Sequence, residues 1–158
     1  MSHAESPLTV VTEALAAHGM TDRVMELTTD VPTAAAAAEQ LGCPVGAIAN
    51  SLIFRAGDEP VLVLASGGHR VDVAAAGALA GVEKLRRADP ELVFEATGQR
   101  VGGVAPIGHP SPLRTVLDED LAGYERLWAG GGVAHAMFWA TYDELLALTG
   151  ARPAKVGA

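Results

Sequence analysis

The segment of this chain best suited to chemistry carries almost no reactive side chains. Residues 102–106 read Gly-Gly-Val-Ala-Pro and lie between two apolar runs. Gly102 and Gly103 permit close approach and unusual dihedrals, while Pro106 fixes one edge and removes one amide donor. Such a loop offers backbone N–H groups rather than nucleophiles, which suits a substrate carbonyl or a transferable acyl group. The alternative is an ordinary Gly/Pro turn between strands. A second glycine-rich segment, AGGGVAH, contains Gly130 and Gly131 and ends at His135; a third stretch, IANSLIFR at 48–55, contains Asn50 and Ser51. Gly-rich segments one or two strands apart can converge on a pocket lined mainly by backbone, or can simply terminate a sheet.

Other chemistries lack their signatures. The chain has no Walker loop, no GxGxxG after a strand, no HExxH and no GxSxG elbow. His3, His18, His69, His109 and His135 show no metal-ligand spacing, so neither a metal nor a cofactor is expected. Cys43 is the sole cysteine, which excludes an intrachain disulfide and a thiolate cluster. In LGCP it reads as a small packed apolar residue. A net charge of −8 disfavours general nucleic-acid binding, because a polyanion is repelled at long range. A nucleic-acid substrate would need a local basic patch, for which Lys84, Arg86 and Arg87 form one cluster and Arg100, Arg114 and Arg126 are scattered candidates. Each also reads as a solvated surface charge.

The elements that must position these segments follow from periodicity and caps. Ser6 and Pro7 start a helix expected over about 7–18, with Leu8, Val11 and Leu15 on its apolar face. A strand is expected at 24–28, then a helix capped by Thr33 and stopped by Gly42. Strands at 51–55 and 61–65 flank a turn at 57–60 as a hairpin. Asp72 and the Asp89–Pro90 pair open two further helices, ending at Leu79 and near Gly98. Strands are expected at 114–117, 125–129 and 133–140, and Thr141 with Glu144 has capping-box spacing for a last helix that stops at Gly150. The first few residues and the tail from Arg152 are expected to be disordered. The pattern is α+β with a mixed, partly closed sheet, because helices interrupt hairpins without regular alternation.

At 158 residues the chain is expected to form a single domain, 1–158, with a core at about 24–150 and the N-terminal helix packed on it. Hydrophobic residues are 49% and aromatics 4%, so Val, Leu, Ile and Ala must build the interior. No apolar run approaches the roughly 20 residues a membrane helix needs, and no secretory pattern opens the chain. A cytoplasmic location with no membrane partner is the default expectation.

From about Thr33 to Gly150 the sequence resembles the YbaK/EbsC, or prolyl-tRNA synthetase-associated, editing-domain family. The resemblance rests on the Ala-rich helix ending in LGCP, then IANSLIFR, VLVLASG, the acidic helix ending in Thr97–Gly98, GGVAPIG and AGGGVAH, in that order. It implies a mixed, barrel-like sheet of six strands surrounded by helices. It also implies hydrolysis of the ester of a mischarged aminoacyl-tRNA 3′ end, here by a free-standing protein acting in trans, with a synthetase as a possible partner. Gly102 and Pro106 match the family's GxxxP loop, which would place Gly102, Gly103, Pro106 and Asn50 in the catalytic set. Leu27, Ser51, Gly130, Gly131 and His135 would bind substrate. Asp118 reads as an anchor for its loop. In the family, the terminal ribose hydroxyl assists the attacking water, so no nucleophilic side chain is required. One position departs: where the family pattern has lysine, as in IAKSL, this chain has Asn50. A lost charge-assisted hydrogen bond costs roughly 1.5–3 kcal/mol, or about 10- to 200-fold. A noncatalytic module that binds an aminoacyl group, a metabolite or a protein is the alternative.

Overall fold

The computed structural model describes residues 6–31, 33–79, 81 and 85–157. His3 and Lys84 lie outside that set. Five helices and eight strands follow in the order α1 (Pro7–Ala17), β1 (Val24–Glu26), α2 (Ala34–Leu41), β2 (Ile48–Ala56), β3 (Glu59–Ser66), α3 (Val73–Leu79), β4 (Arg86–Arg87), α4 (Pro90–Thr97), β5 (Arg114–Asp118), β6 (Leu127–Gly130), β7 (Ala136–Ala140), α5 (Tyr142–Thr149) and β8 (Arg152–Ala154).

Local signals place the helix ends. The Ser6, Thr33, Asp89 and Thr141 side chains each accept a backbone N–H from the first turn of α1, α2, α4 and α5. Gly42, Gly98 and Gly150 close α2, α4 and α5 in the left-handed conformation that glycine tolerates. The Thr141–Glu144 capping box forms as expected, and Glu144 also takes a bidentate pair from Arg23 at 2.9 Å.

The strands make one mixed sheet in the order β1-β7-β6-β2-β3-β5-β8, with β4 added to β2. Pairing is parallel for β2 with β6, β3 with β5 and β5 with β8, and antiparallel elsewhere. The α+β expectation of a mixed sheet holds, although the described strands number eight rather than six. The extra ones are short. β4 has two residues, and β8 forms within the tail expected to be disordered, because Val116, Leu117 and Asp118 offer it a parallel edge. Strand β3 is buried on both faces: Leu62 and Leu64 enter one apolar cluster with Phe138 and Leu145, while Val61, Val63 and Ala65 enter another with Phe54 and Val116. Its continuous apolar run is what a central strand requires. No helix among the described residues is long and apolar enough to cross a membrane.

Candidate functional site

Strand β2 has β3 along one edge from Ala49 to Ala56, but its other edge is shared. There β6 pairs with Ile48 and Ala49, and β4 pairs with Phe54 and Arg55. Between them the edge is uncovered, and a cavity of about 570 Å³ opens at the gap, lined by residues 48–53 of β2. The Gly67 amide donates to the Ile48 carbonyl on the β3 side, and the Ala88 amide to the Ile53 carbonyl on the β4 side. Main-chain groups alternate in direction along a strand, so the N–H and C=O of Ser51 face the uncovered edge. The Ser51 hydroxyl is buried and has no hydrogen-bond partner. No hydrogen-bond partner is found for the Asn50 side chain among the described residues either. The cavity therefore presents unused polar groups beside apolar Ala37, Ile48, Val93 and Met137.

The opposite wall is the glycine loop, with Gly102, Gly103 and Val104 lining the cavity. Its shape is imposed by Gln99, only 1% exposed, whose amide oxygen accepts the Ala105 N–H at 2.6 Å and whose amide nitrogen donates to the Ile107 carbonyl at 3.1 Å. His109 Nε2 donates to the Ala105 carbonyl at 2.8 Å. Burial pushes that imidazole below the usual histidine range, so it is held neutral, against a smaller opposing effect of the same hydrogen bond. The Gly103 amide is consumed by the Arg100 carbonyl at 3.2 Å, and the Gly103 carbonyl accepts the Gly132 amide at 2.8 Å. Among the described residues, the amides of Gly102 and Val104 have no acceptor. Gly102 sits at φ +101, and a Cβ on Gly103 would lie 2.5 Å from the Val133 carbonyl carbon. Glycine here is demanded twice, once by conformation and once by the second glycine-rich segment packed behind the loop.

Of the residues singled out by sequence, the cavity brings together Asn50, Ser51, Gly102, Gly103 and Gly130. A Cβ on Gly130 would run into the Val104 carbonyl, so that residue lets β6 approach the loop. Pro106 is buried behind the loop, and the Gly131 amide is used by the Ala136 carbonyl at 2.8 Å. Leu27 packs in the apolar cluster of Ala37, Ala38, Ile48 and Trp128 behind the wall. His135, 45% exposed, stands outside the lining, 3.6 Å from Glu26 and 3.9 Å from Asp30. Asp118 is fully buried in a different corner, where it accepts the Ser66 and Asp120 amides and contacts His69 at 2.7 Å. It does anchor a turn. Cys43 packs against the Leu27 cluster, and burial raises its thiol pKa, as expected of a structural cysteine.

Three contributors are not legible as site residues in the sequence. Gln99 gave no signal beyond being a polar residue between the helix stop Gly98 and the loop, because its partners lie six and eight residues on in a fold-dependent path. Val104 offers only its amide. Arg87 stood in a basic cluster, but its place at the cavity depends on β4 pairing with β2.

Residues 28–148 match the family described as the aminoacyl-tRNA editing domain. The chain is 32% identical to the uncharacterized protein YwhH of Bacillus subtilis over 123 residues, 77% of this chain and 78% of that one. It is also 32% identical over 93 residues to a proline–tRNA ligase of Lactobacillus gasseri, covering 59% of this chain but 16% of the ligase. A solved structure provisionally described as a trans-editing enzyme for prolyl tRNA synthetase superposes with a TM-score of 0.90 at 43% identity, covering 99% of both chains. A second, hypothetical protein APE2540, gives 0.86 at 31% identity, with 94% of this chain and 99% of that one covered. With a match across most of its length and a fold shared nearly end to end, the chain belongs to the aminoacyl-tRNA editing domain family.

Proposed function

We propose that the protein is an aminoacyl-tRNA deacylase acting in trans, which hydrolyses the ester of a mischarged tRNA without a metal or a side-chain nucleophile. The observation that carries this reading is the pairing of two unused loop amides, Gly102 and Val104, with the uncovered β2 edge at Asn50 and Ser51 across one cavity. The carbonyl oxygen of the ester takes the amides as donors. Water adds to the carbonyl carbon, the resulting oxyanion is stabilised by those N–H groups, and the ester C–O bond then breaks. One water proton reaches the departing ribose oxygen, leaving the free 3′ end and the amino acid. The neighbouring ribose hydroxyl relays that proton, as the family resemblance implies. Asn50 and the Ser51 hydroxyl bind the aminoacyl moiety, and Gly103 and Gly130 act by letting three backbone segments meet. The end-to-end match to a provisional trans-editing protein supports action as a separate chain.

A second reading, a noncatalytic binding module, is favoured by one feature: among the described residues, the cavity lining contains no Asp, Glu, His, Cys or Lys. Incubation with a panel of mischarged tRNAs separates the two. The deacylase reading expects amino-acid release by the wild type, a fall of about 10²-fold in Gly102→Ala, whose N–H remains but loses its aim because a side chain is strained at φ +101, and retained or increased release in Asn50→Lys. No release by either wild type or Asn50→Lys across the panel would leave only the binding module.

A further inference from the structure

We propose that His69, Asp118 and Asp120 form a binding site for a divalent transition-metal cation of the zinc type, at the carboxyl ends of β3 and β5. None of the three lines the cavity, so the site stands apart from the deacylase reading. β3 and β5 run parallel with Leu64 opposite Leu117, which sets the segments leaving their ends side by side. His69 belongs to the first of these segments; Asp118 ends β5, and Asp120 follows in the short helical turn Glu119–Gly123. His69 Nε2 lies 2.7 Å from Asp118 Oδ2 and 3.1 Å from Asp120 Oδ2, and one ligand atom from each residue lies within 4.8 Å of the other two.

The position of the ring proton decides what these atoms can do. His69 Nδ1 lies 3.0 Å from the Arg70 carbonyl, which can only accept, so the proton of the neutral ring sits on Nδ1. Nε2 then presents its lone pair. That atom is shut off from solvent and makes no hydrogen bond among the described residues, with either carboxylate or with anything else. Three Lewis bases thus converge with no donor between them, and the Asp118 carboxylate, at 0% exposure, needs positive charge beside it. The surroundings are those of a ligand set. A histidine that binds a metal donates its other ring N–H to a carbonyl or carboxylate, and ligating carboxylates are themselves hydrogen-bonded. Asp118 accepts the Ser66 amide on Oδ2 at 2.9 Å and the Asp120 amide on Oδ1 at 3.0 Å.

Donor type selects the ion. One imidazole and two carboxylates suit zinc with water as the fourth ligand, whereas calcium and magnesium favour all-oxygen sets. Donors around tetrahedral zinc stand roughly 3.3 Å apart, so the two contacts open by about 0.2–0.6 Å. His69 and Asp120, 18% and 54% exposed, have the freedom to turn that far while Asp118 stays fixed. The ring is also backed by the tail: a Cβ on Gly157 would lie 3.0 Å from His69 Nε2 and Cε1, and the Asp72 amide donates to the Val156 carbonyl at 2.7 Å. An ion held here joins the ends of two neighbouring strands beside the end of the chain.

The test takes tag-free protein stripped with a chelator and titrates it with Zn²⁺ in calorimetry and with Co²⁺ in visible absorption. One ion per chain is expected, with a Co²⁺ ligand-field spectrum that lacks a thiolate band. Tm should rise by about 5–10 °C at a Zn²⁺ concentration a hundredfold above Kd. His69→Gln and Asp120→Asn, checked for fold by circular dichroism, should each weaken binding by at least about 100-fold, more than the loss of an outer partner costs. His135→Ala, which removes the exposed imidazole near Glu26 and Asp30, should leave binding unchanged. A readout that needs no variant is the ¹⁵N resonance of His69 Nε2, which Zn²⁺ should shift while the Nδ1 proton stays in place. Three results each overturn the site: no stoichiometric uptake of either ion by wild type, a His69 Nε2 resonance that carries a proton and is indifferent to Zn²⁺, or a folded His69→Gln that binds as tightly as wild type.

Discussion

Replacing Gln99 with Met removes the clamp on the glycine loop while keeping nearly the same volume. Gln99 is 1% exposed and holds two backbone groups, the Ala105 N–H and the Ile107 C=O, both on buried residues. Among the described residues neither group has another partner, and each buried group left unsatisfied costs about 1–3 kcal/mol. The two together predict a loss of about 2–6 kcal/mol for Gln99→Met, with the lower half of that range expected because the thioether keeps the packing. Of a total stability of roughly 5–15 kcal/mol this is large but survivable. Urea denaturation read by circular dichroism measures it. The catalytic effect is separable: with Ala105 released, the Gly102 and Val104 amides lose their fixed aim, and a misplacement of about 1 Å costs on the order of 10²-fold in rate. Deacylation measured where the variant remains folded should show that fall mainly in kcat. A stability change under about 1 kcal/mol, or a folded variant with unchanged kcat, would refute the clamp.

Three further outcomes are expected. Gly103→Ala would place a Cβ 2.5 Å from the Val133 carbonyl carbon and 2.8 Å from the Ala134 nitrogen, so backbone must move; deacylation should fall about 10²-fold or more, read by tRNA ester release. Glu144 is held down to about 2 from an ordinary 4.5, first by its hydrogen bonds from Arg23. Its contribution to stability is thus complete above pH 4.5 and is lost as pH falls from there toward 2. At a site 31% exposed, screening limits it to about 1 kcal/mol, and thermal melts across that window should show the slope in wild type and not in Glu144→Gln. Val11, fully buried, touches the places where a Cβ would sit on Gly108 and Gly132, so α1 backs both glycine-rich segments. Val11→Ala should cost about 2 kcal/mol in chemical denaturation and lower kcat more than it raises KM.

Much of the framework could be read from local chemistry. Ser6, Thr33, Asp89 and Thr141 start helices because a side-chain oxygen three residues upstream of an unpaired amide is a property of adjacent sequence. The hairpin around Gly57, at φ +63, is equally local. The tail from Arg152 is ordered against local expectation for the complementary reason: nothing in its own residues favours a strand, and it becomes β8 only because β5 has a free edge.

The same division runs through the site. Sequence alone determined that Gly102, Gly103 and Gly130 would be backbone-only positions and that Asn50 would stand without a charge, since these are properties of residue type. Only the tertiary structure decided which polar groups remain unused. Gly103's amide is taken by Arg100 while those of Gly102 and Val104 are left over; His135 is drawn toward Glu26 and Asp30, outside the cavity lining; and Arg87 reaches the cavity because β4 covers one part of β2 and leaves another bare. Hydrogen-bond satisfaction is a sum over the whole fold, so the groups available for chemistry are those that the completed sheet fails to use.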